Sequence, residues 1–589
     1  MKYAELLVEW LHKDGYTHCF FVAGGNNMHL LDGVRKRMKC VPFVHEVAAG
    51  IAAEYFNESS NEGRAFALVT AGPGLTNITT AVAGAFLESR ELLVIGGQVK
   101  STDLSSGGIR QRGIQEVDGI ALVKPVCVST LQITTPVSQD HFLSVVRKGR
   151  SLRKGPVFVE ICLDAQAAPV ERAVLETTEQ PTKFFSPPMA SKEDFIKVSE
   201  LIAAAERPII LLGGGLSRKA VDNHREHLLA LGIPIMTSWN AMDRIGSEDS
   251  LYFGRPNTWG QRYSNILLQS SDLLIAIGAR LGLQQTGFNW EEFASSAKVV
   301  QIDIDSSELA KGHPRIDLPI HADANEFLNE FIRTKSKNFT KWVIFCDKVK
   351  ASLPLSECSN SNHEGFWNPY DFSLDLSNLC SDDDILIPCS SGGSMTVTMQ
   401  SFNQKQGQII TCDKNLASMG YGLSGSIGSS LAHLGRRVIL IEGDGGFSQN
   451  IQELATVNVQ NLPIKMFILA NEGYASIRMT QRNYFHGDYL GCDTSTGLGF
   501  PNWEELFSAY EIPVLTINKN NLTSEKFKNM FSAPGPAAFI VNVHPEQTYY
   551  PKISSTILRD GGMRSNPLHL LSPELSEEKT SKLLKYTRG

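Results

Sequence analysis

No run of this 589-residue sequence is apolar for long enough to cross a bilayer, so a helical membrane protein is not expected. Low-complexity tracts are absent as well, and a composition of 42% hydrophobic and 20% charged residues reads as ordinary globular protein. The ten cysteines form no CxxC pair, which leaves neither a zinc site nor a disulfide framework indicated; reduced thiols are the expectation. Basic residues do not outnumber acidic ones, with 55 Lys and Arg against 62 Asp and Glu, and no basic stripe stands out, so no nucleic-acid partner is expected. A secretory signal is not expected either. Glu5, Glu9 and Asp14 interrupt the first 21 residues, while Leu6, Leu7, Trp10 and Leu11 share one helical face. The expectation is a cytoplasmic enzyme without a membrane partner.

What is present is a rhythm of short apolar runs alternating with helical stretches, the pattern of parallel-sheet α/β architecture. The spacing predicts strands over residues 19–22, 65–70, 92–96 and 157–163, with helices over 46–54 and 77–89. A second block has strands over 208–212, 273–277 and 299–304. A third has them over 385–388, 409–412, 438–442, 464–470 and 538–543. Irregular stretches at 165–188 and 352–369 read as linkers. Three α/β domains follow, at 1–165, 190–335 and 366–550, with a tail at 551–589. From Ser572 the tail is polar and is expected on the surface or docked elsewhere.

The most specific pattern is Gly443-Asp444-Gly445 directly after a strand, then a helix, another strand, and Asn471-Glu472-Gly473. One βαβ crossover sets Asp444 and Asn471 at the C-terminal ends of neighbouring parallel strands, the edge at which open α/β sheets bind ligands. The Asp444 carboxylate, the Asn471 amide oxygen and the Gly473 carbonyl are hard oxygen donors suited to Mg²⁺, with octahedral positions left for two diphosphate oxygens and a water. Gly445 and Gly446 allow main-chain N–H groups to approach that diphosphate. The competing reading is a tight strand–helix turn capped by its own Asp.

This pattern resembles the thiamine diphosphate binding motif. Thiamine chemistry needs a carboxylate beside N1′ of the aminopyrimidine, and Glu46, opening a helix in the run from Val41 to Glu54, meets that description. A solvated first-turn Glu favoured by the helix dipole is the alternative. Downstream lie Gly72-Pro73-Gly74 with Asn77, and Gly96-Gly97-Gln98-Val99. Together these resemble the acetolactate synthase superfamily of thiamine enzymes, over residues 3 to 545. The resemblance implies three flavodoxin- or Rossmann-like domains: pyrimidine-binding, central and diphosphate-binding. In Asn415–Gly422 it makes Met419 the wedge under the cofactor rings and the Ala417 carbonyl an acceptor for the 4′-amino group. Ser391, Gly392, Gly393 and Ser394 read either as further diphosphate donors or as an ordinary glycine-rich turn. Because the family's cofactor spans two subunits, a homodimer or tetramer is implied.

Substrate chemistry is read more thinly. Gln115 matches the glutamine beside the thiazolium in acetolactate synthases, with simple solvation as the alternative. Gly25, Asn26, Asn27 and His29 are expected to face the same cavity, and His29 is either an acid–base group or the cap of a turn. In the central block, Gly213-Gly214-Gly215 and Asp303-Ile304-Asp305 resemble the domain that holds a non-redox FAD in acetolactate synthases, although no GxGxxG is present there. Gln284 and Gln285 stand where acetolactate synthases carry an acidic residue and an arginine. Residues 252–257, 260–262, 283–287, 545–547 and 565–568 look closer to a subgroup linked to surface-polysaccharide biosynthesis. The expected reaction decarboxylates pyruvate, or a related 2-oxo acid donor, and joins its two-carbon unit to a carbonyl acceptor, a nucleotide-linked keto-deoxy sugar. Acetolactate synthesis from two 2-oxo acids is the alternative, and a pyruvate oxidase or decarboxylase ranks below it.

Overall fold

A computed structural model describes residues 1–60, 62–176, 186–389, 392–558 and 562–587. Three sheets built of parallel pairs organise the chain. The first contains β1 (Tyr16–Phe21), β2 (Lys39–Pro42), β3 (Arg64–Val69), β4 (Leu92–Gln98), β5 (Ser129–Ile133) and β6 (Pro156–Cys162), in the order β2-β1-β3-β4-β6-β5. The second contains β7 (Pro208–Leu212), β8 (Ile235–Thr237), β9 (Leu273–Ile277), β10 (Lys298–Asp303) and β11 (Leu318–His321), in the order β11-β10-β9-β7-β8. Along the third part of the chain run β12 (Ile385–Pro388), the two-residue β13 (Ile409–Ile410), β14 (Val438–Gly443), β15 (Ile464–Ala470), β16 (Val514–Ile517) and β17 (Ala537–Asn542). Their main sequence of pairs is β12-β14-β15-β17-β16. Central strands such as β4 and β6 are buried at every residue, as parallel strands covered on both faces must be.

The chain divides into two compact units. One comprises Met1–Phe185, Ile385–Ser394 and Thr411–Asn542, and carries the first sheet and most of the third; the other comprises Ser186–Asp384, Met395–Ile410 and Val543–Gly589, and carries the second. In the first unit the helix Glu46–Ser59 lies against the helix Tyr421–Ala432. The approach is close: a Cβ on Gly425 would lie 2.6 Å from the Tyr55 ring, and one on Gly428 would run into the Ala52 carbonyl oxygen. Ser59 and Ser429 hydroxyls meet across the contact at 2.9 Å. Beside it, Arg90 donates to Glu54 at 2.9 Å and to the Cys412 carbonyl at 2.8 Å, all out of solvent. Burial pushes the Glu54 carboxyl up to about 8, against the pull of Arg90 and with the Asp413 charge adding to the rise.

Several expectations shift. The helix opened by Glu46 continues to Ser59, and the one expected over 77–89 is two, Pro73–Asn77 and Thr79–Glu88. The strand expected over 409–412 shrinks to two residues. Residues 165–176 are not a free linker. They include the helices Leu163–Ala167 and Arg172–Leu175, with Arg172 gripping Glu9 through both terminal nitrogens and Glu176 accepting from the Trp10 indole at 2.8 Å. Those contacts are made by polar groups, so apolar periodicity could not announce them. The rest of the expected linker up to residue 185 lies outside the described residues. The tail forms the helix Glu577–Leu583 and buries Leu583 in the core of the second unit. Among the described residues no helix is long and apolar enough to cross a membrane.

Gly428→Val is expected to destabilise the protein by about 1–3 kcal/mol, because the added methyl groups must push the two helices apart; an unchanged urea midpoint would contradict the close approach. Glu54 binds its proton more tightly folded than unfolded, so its stabilising contribution is complete below the ordinary value of 4.5 and lost as pH rises toward 8. Thermal midpoints measured from pH 5 to 8 should therefore fall less steeply in Glu54→Gln than in the parent chain.

Candidate active site

Strand β14 ends at Gly443, and Asp444 opens a four-residue helix, Asp444–Phe447, that gives way to a 3-10 turn at Ile451–Glu453 before Leu454–Val459. The single helix expected after the motif is thus broken into pieces. Asp444 is 2% exposed. One carboxylate oxygen accepts from the Gly445 N–H at 2.7 Å, as a turn cap would; the other crosses to the end of β15 and accepts from Asn471 N–H at 2.9 Å and Gly473 N–H at 3.2 Å. The aspartate thus ties its own turn to the turn at the end of β15. Burial pushes its carboxyl up to about 6, opposed by these main-chain donors.

The Asn471 side-chain oxygen is buried without any hydrogen-bond partner, an arrangement that stays costly until a cation or donor meets it. Gly473 sits at φ 147°, where a Cβ would collide with the Cys492 carbonyl oxygen. Among the described residues no cluster of three His, Cys, Asp or Glu could hold a metal. A metal at this edge would accordingly use one carboxylate plus amide and carbonyl oxygens, a donor set that fits Mg²⁺.

Other expected residues gather here. A Cβ on Gly443 would lie 3.7 Å from the Ser394 hydroxyl, and one on Gly392 would lie 2.9 Å from the Ser476 hydroxyl; Gly393 opens the helix Gly393–Ser401. Ser391 lies outside the described residues. Gly420 N–H donates to the Gly446 carbonyl at 3.0 Å, bringing the turn of Ala417 and Met419 alongside the Asp444 turn. Ala417 holds a left-handed φ of 52°, and Met419 is half-buried. Beneath them Asp413 accepts from Ser418 N–H at 3.0 Å, and Glu88 accepts from Lys414 and Asn415 N–H at 2.7 and 2.6 Å.

A second group forms on the first sheet. Glu46 is 7% exposed and accepts from the Asn77 amide at 2.9 Å. Pro73 is the first residue of the helix that Asn77 ends, and a Cβ on the preceding Gly72 would lie 2.7 Å from the Gln115 carbonyl oxygen. Gln115, at φ 61°, is exposed. Asn26, following the exposed Gly25, donates its N–H to the Thr70 hydroxyl at 3.3 Å. Asn27 is taken up in the turn, its amide donating to the Val22 carbonyl at 3.1 Å and its oxygen accepting from Gly24 N–H. The His29 ring nitrogen lies 3.4 Å from the Lys2 ammonium.

Glu453 joins the two groups. Fully buried, it accepts from Val44 N–H at 3.1 Å and His45 N–H at 2.9 Å, the two residues before Glu46, and from the Thr456 hydroxyl at 2.6 Å. Burial raises its pKa against those donors. Nothing in the sequence marks this residue, because its partners lie 409 and 408 positions away.

In the second unit, Gly213 and Gly215 donate their N–H groups to the Ile277 and Gly278 carbonyls at 2.9 and 3.0 Å, and a Cβ on Gly213 would strike the Gly278 main chain. These glycines serve close packing of two strand ends, with Gly214 between them facing Asn240. Asp303 accepts from Asp305 N–H and Asp305 from Ser307 N–H, both at 2.9 Å. Buried side-chain atoms without a hydrogen-bond partner in this unit include Asn257 Nδ2, Gln285 Oε1 and Gln301 Oε1.

Comparison with known families matches residues 1–122 to the N-terminal TPP binding domain of thiamine pyrophosphate enzymes, 196–331 to their central domain and 391–541 to their C-terminal TPP binding domain. Among curated proteins the chain is similar to acetolactate synthase 1, chloroplastic, of Zea mays, 28% identical over 94% of this chain and 87% of that one. It is also similar to the acetolactate synthase isozyme 1 large subunit of Escherichia coli K12, 27% identical over 93% and 95%. The corresponding figures for acetolactate synthase 1, chloroplastic, of Nicotiana tabacum are 27% over 96% and 86%.

Glu453→Ala should destabilise the protein by about 1–3 kcal/mol, since two buried N–H groups lose their acceptor. Chemical denaturation monitored by tryptophan fluorescence measures this; a neutral result would mean the Glu453 tie is not formed.

Proposed function

The chain belongs to the thiamine pyrophosphate enzymes of acetolactate synthase type, and from that premise we propose that it decarboxylates pyruvate and joins the two-carbon acyl unit to the ketone of a nucleotide-linked deoxy sugar. The observation that carries the cofactor half of this reading is the Asp444–Asn471 pair, with its buried unpartnered amide oxygen. Asp444, Asn471 and the Gly473 carbonyl would hold Mg²⁺ and through it the diphosphate, with Gly443, Gly446, Gly392, Gly393 and Ser394 around it. Thiamine diphosphate supplies an electron sink for carbon dioxide release.

Glu46, fixed by Asn77, would hold the aminopyrimidine in the tautomer that removes a proton, and Gln115 would orient the donor. Met419 and Ala417 would set the cofactor's bend. The sugar acceptor is supported by residue type: Gln284 and Gln285 replace an acid–arginine pair, and the buried Gln285 spends its amide N–H on the Pro256 carbonyl. A keto sugar brings no carboxylate for an arginine at these two positions to pair. Acetolactate synthesis is the second reading, favoured by the similarity to acetolactate synthases of Zea mays and Escherichia coli.

FAD in the central domain rests on that kinship. A homodimer or tetramer is supported by the exposed apolar residues Met28, Val44 and Ile114, each within two residues of His29, Glu46 or Gln115.

With ¹³C-labelled pyruvate, thiamine diphosphate and Mg²⁺, NMR is expected to show slow turnover alone and a labelled acetyl branch once a nucleotide 4-keto-deoxy sugar is added. Accumulating acetolactate without the sugar would instead establish the second reading. Glu46→Gln should bind cofactor with Mg²⁺ yet lose at least about a hundredfold in turnover.

A further inference from the structure

Arg478 is 3% exposed on the helix Ala475–Tyr484, directly after the turn at residues 471–473. Its guanidinium reaches back beneath that turn. One terminal nitrogen donates to the Asn471 carbonyl at 3.3 Å and the other to the Glu472 carbonyl at 3.1 Å, while Nε lies 3.4 Å from the Asp493 carboxylate. The same turn is held from its other side, where Asp444 accepts the N–H groups of Asn471 and Gly473. Main-chain donors are drawn to a carboxylate and main-chain carbonyls to a guanidinium. Between them the turn keeps Glu472 at φ 62°, a conformation that a non-glycine residue holds only under restraint. The Asn471 side-chain oxygen is the group that neither clamp uses.

Asp493 is fixed in turn. Ser495 and Thr496 hydroxyls donate to it at 2.7 and 2.9 Å, its main chain bridges Gly473, and the neighbouring Cys492 carbonyl accepts from Tyr474 N–H at 2.8 Å. Its negative charge offsets the guanidinium, which unpaired would repel a divalent cation at Asp444.

We propose that Arg478, paired with Asp493, is a positioning residue that presets the 471–473 turn for the metal, by occupying the carbonyls of Asn471 and Glu472 so that the Asn471 amide and Gly473 carbonyl oxygens face the ion. This rests on the metal-site reading above. Lysine cannot replace the fork, since one ammonium cannot reach two carbonyls and a carboxylate with the same planar geometry.

The test uses the full chain. Thiamine diphosphate binding is followed by tryptophan fluorescence while Mg²⁺ is titrated, alongside thermal melting without cofactor. Arg478→Met is expected to raise half-saturating Mg²⁺ by about tenfold or more, the usual effect of removing an outer support of a metal ligand, and Arg478→Lys by less. Both should melt within a few degrees of the parent protein. Unchanged Mg²⁺ dependence in Arg478→Met overturns the proposal. If that variant does not fold, Arg478→Lys decides: a folded Lys variant with parental Mg²⁺ dependence overturns it, and a weakened one sustains it. Failure of the parent chain to bind thiamine diphosphate with Mg²⁺ would sink the metal-site reading instead.

Discussion

The helices Glu46–Ser59 and Tyr421–Ala432 meet so closely that no side chain can stand between them at Gly425 or Gly428. Two of the segments that carry proposed site residues are anchored by that contact. The first helix begins with the proposed catalytic carboxylate, and the second begins two residues after Met419. Fixing the helices against each other fixes both starting points at once, and Glu453 adds a second tie just ahead of Glu46. A loose contact could hold the same residues but could not hold them within the fraction of an ångström that proton transfer demands.

Electrostatically the first unit is organised around carboxylates out of water whose partners are mostly main-chain N–H groups. Asp444, Glu453, Glu88 and Asp413 each bind a turn through its amide protons, while Glu54 is bonded directly to Arg90. Such a carboxylate specifies a backbone shape, because its lone pairs are satisfied by one arrangement of the chain. Burial lifts Asp444, Asp413 and Glu54 well above the ordinary range, opposed by those same donors or by Arg90.

The interior of the fold was legible in the sequence, and its margins were not. Runs such as residues 208–212, 385–388 and 464–470 declare themselves because central parallel strands are apolar on both faces. Within the three large sheets the strands that went unseen, β2, β5, β8, β11 and β16, lie at edges; half-burial of β2, β5, β11 and β16 admits residues such as Lys39, Gln132 and Thr516, and β8 is only three residues long. At the site, the Asp444–Asn471 pair was readable because a single crossover sets its spacing. Glu453, Arg478 and Asp413 were not, because their work is done on main-chain atoms whose position only the folded chain supplies. At residues 213 and 215 the glycines also let two strand ends pack against each other, a packing demand that the sequence pattern does not display.

The first unit is assembled from three separated stretches of one chain, the last ending at Asn542. During synthesis the N-terminal stretch emerges long before residues 421–432 exist. The tight face of the Glu46 helix, lined by Ala52 and Tyr55, must therefore wait uncovered while more than half of the protein is still being made. Folding of this unit cannot follow the order of translation, and a ribosome stalled within the central domain would present a sticky, half-built partner to whatever chaperone is nearest.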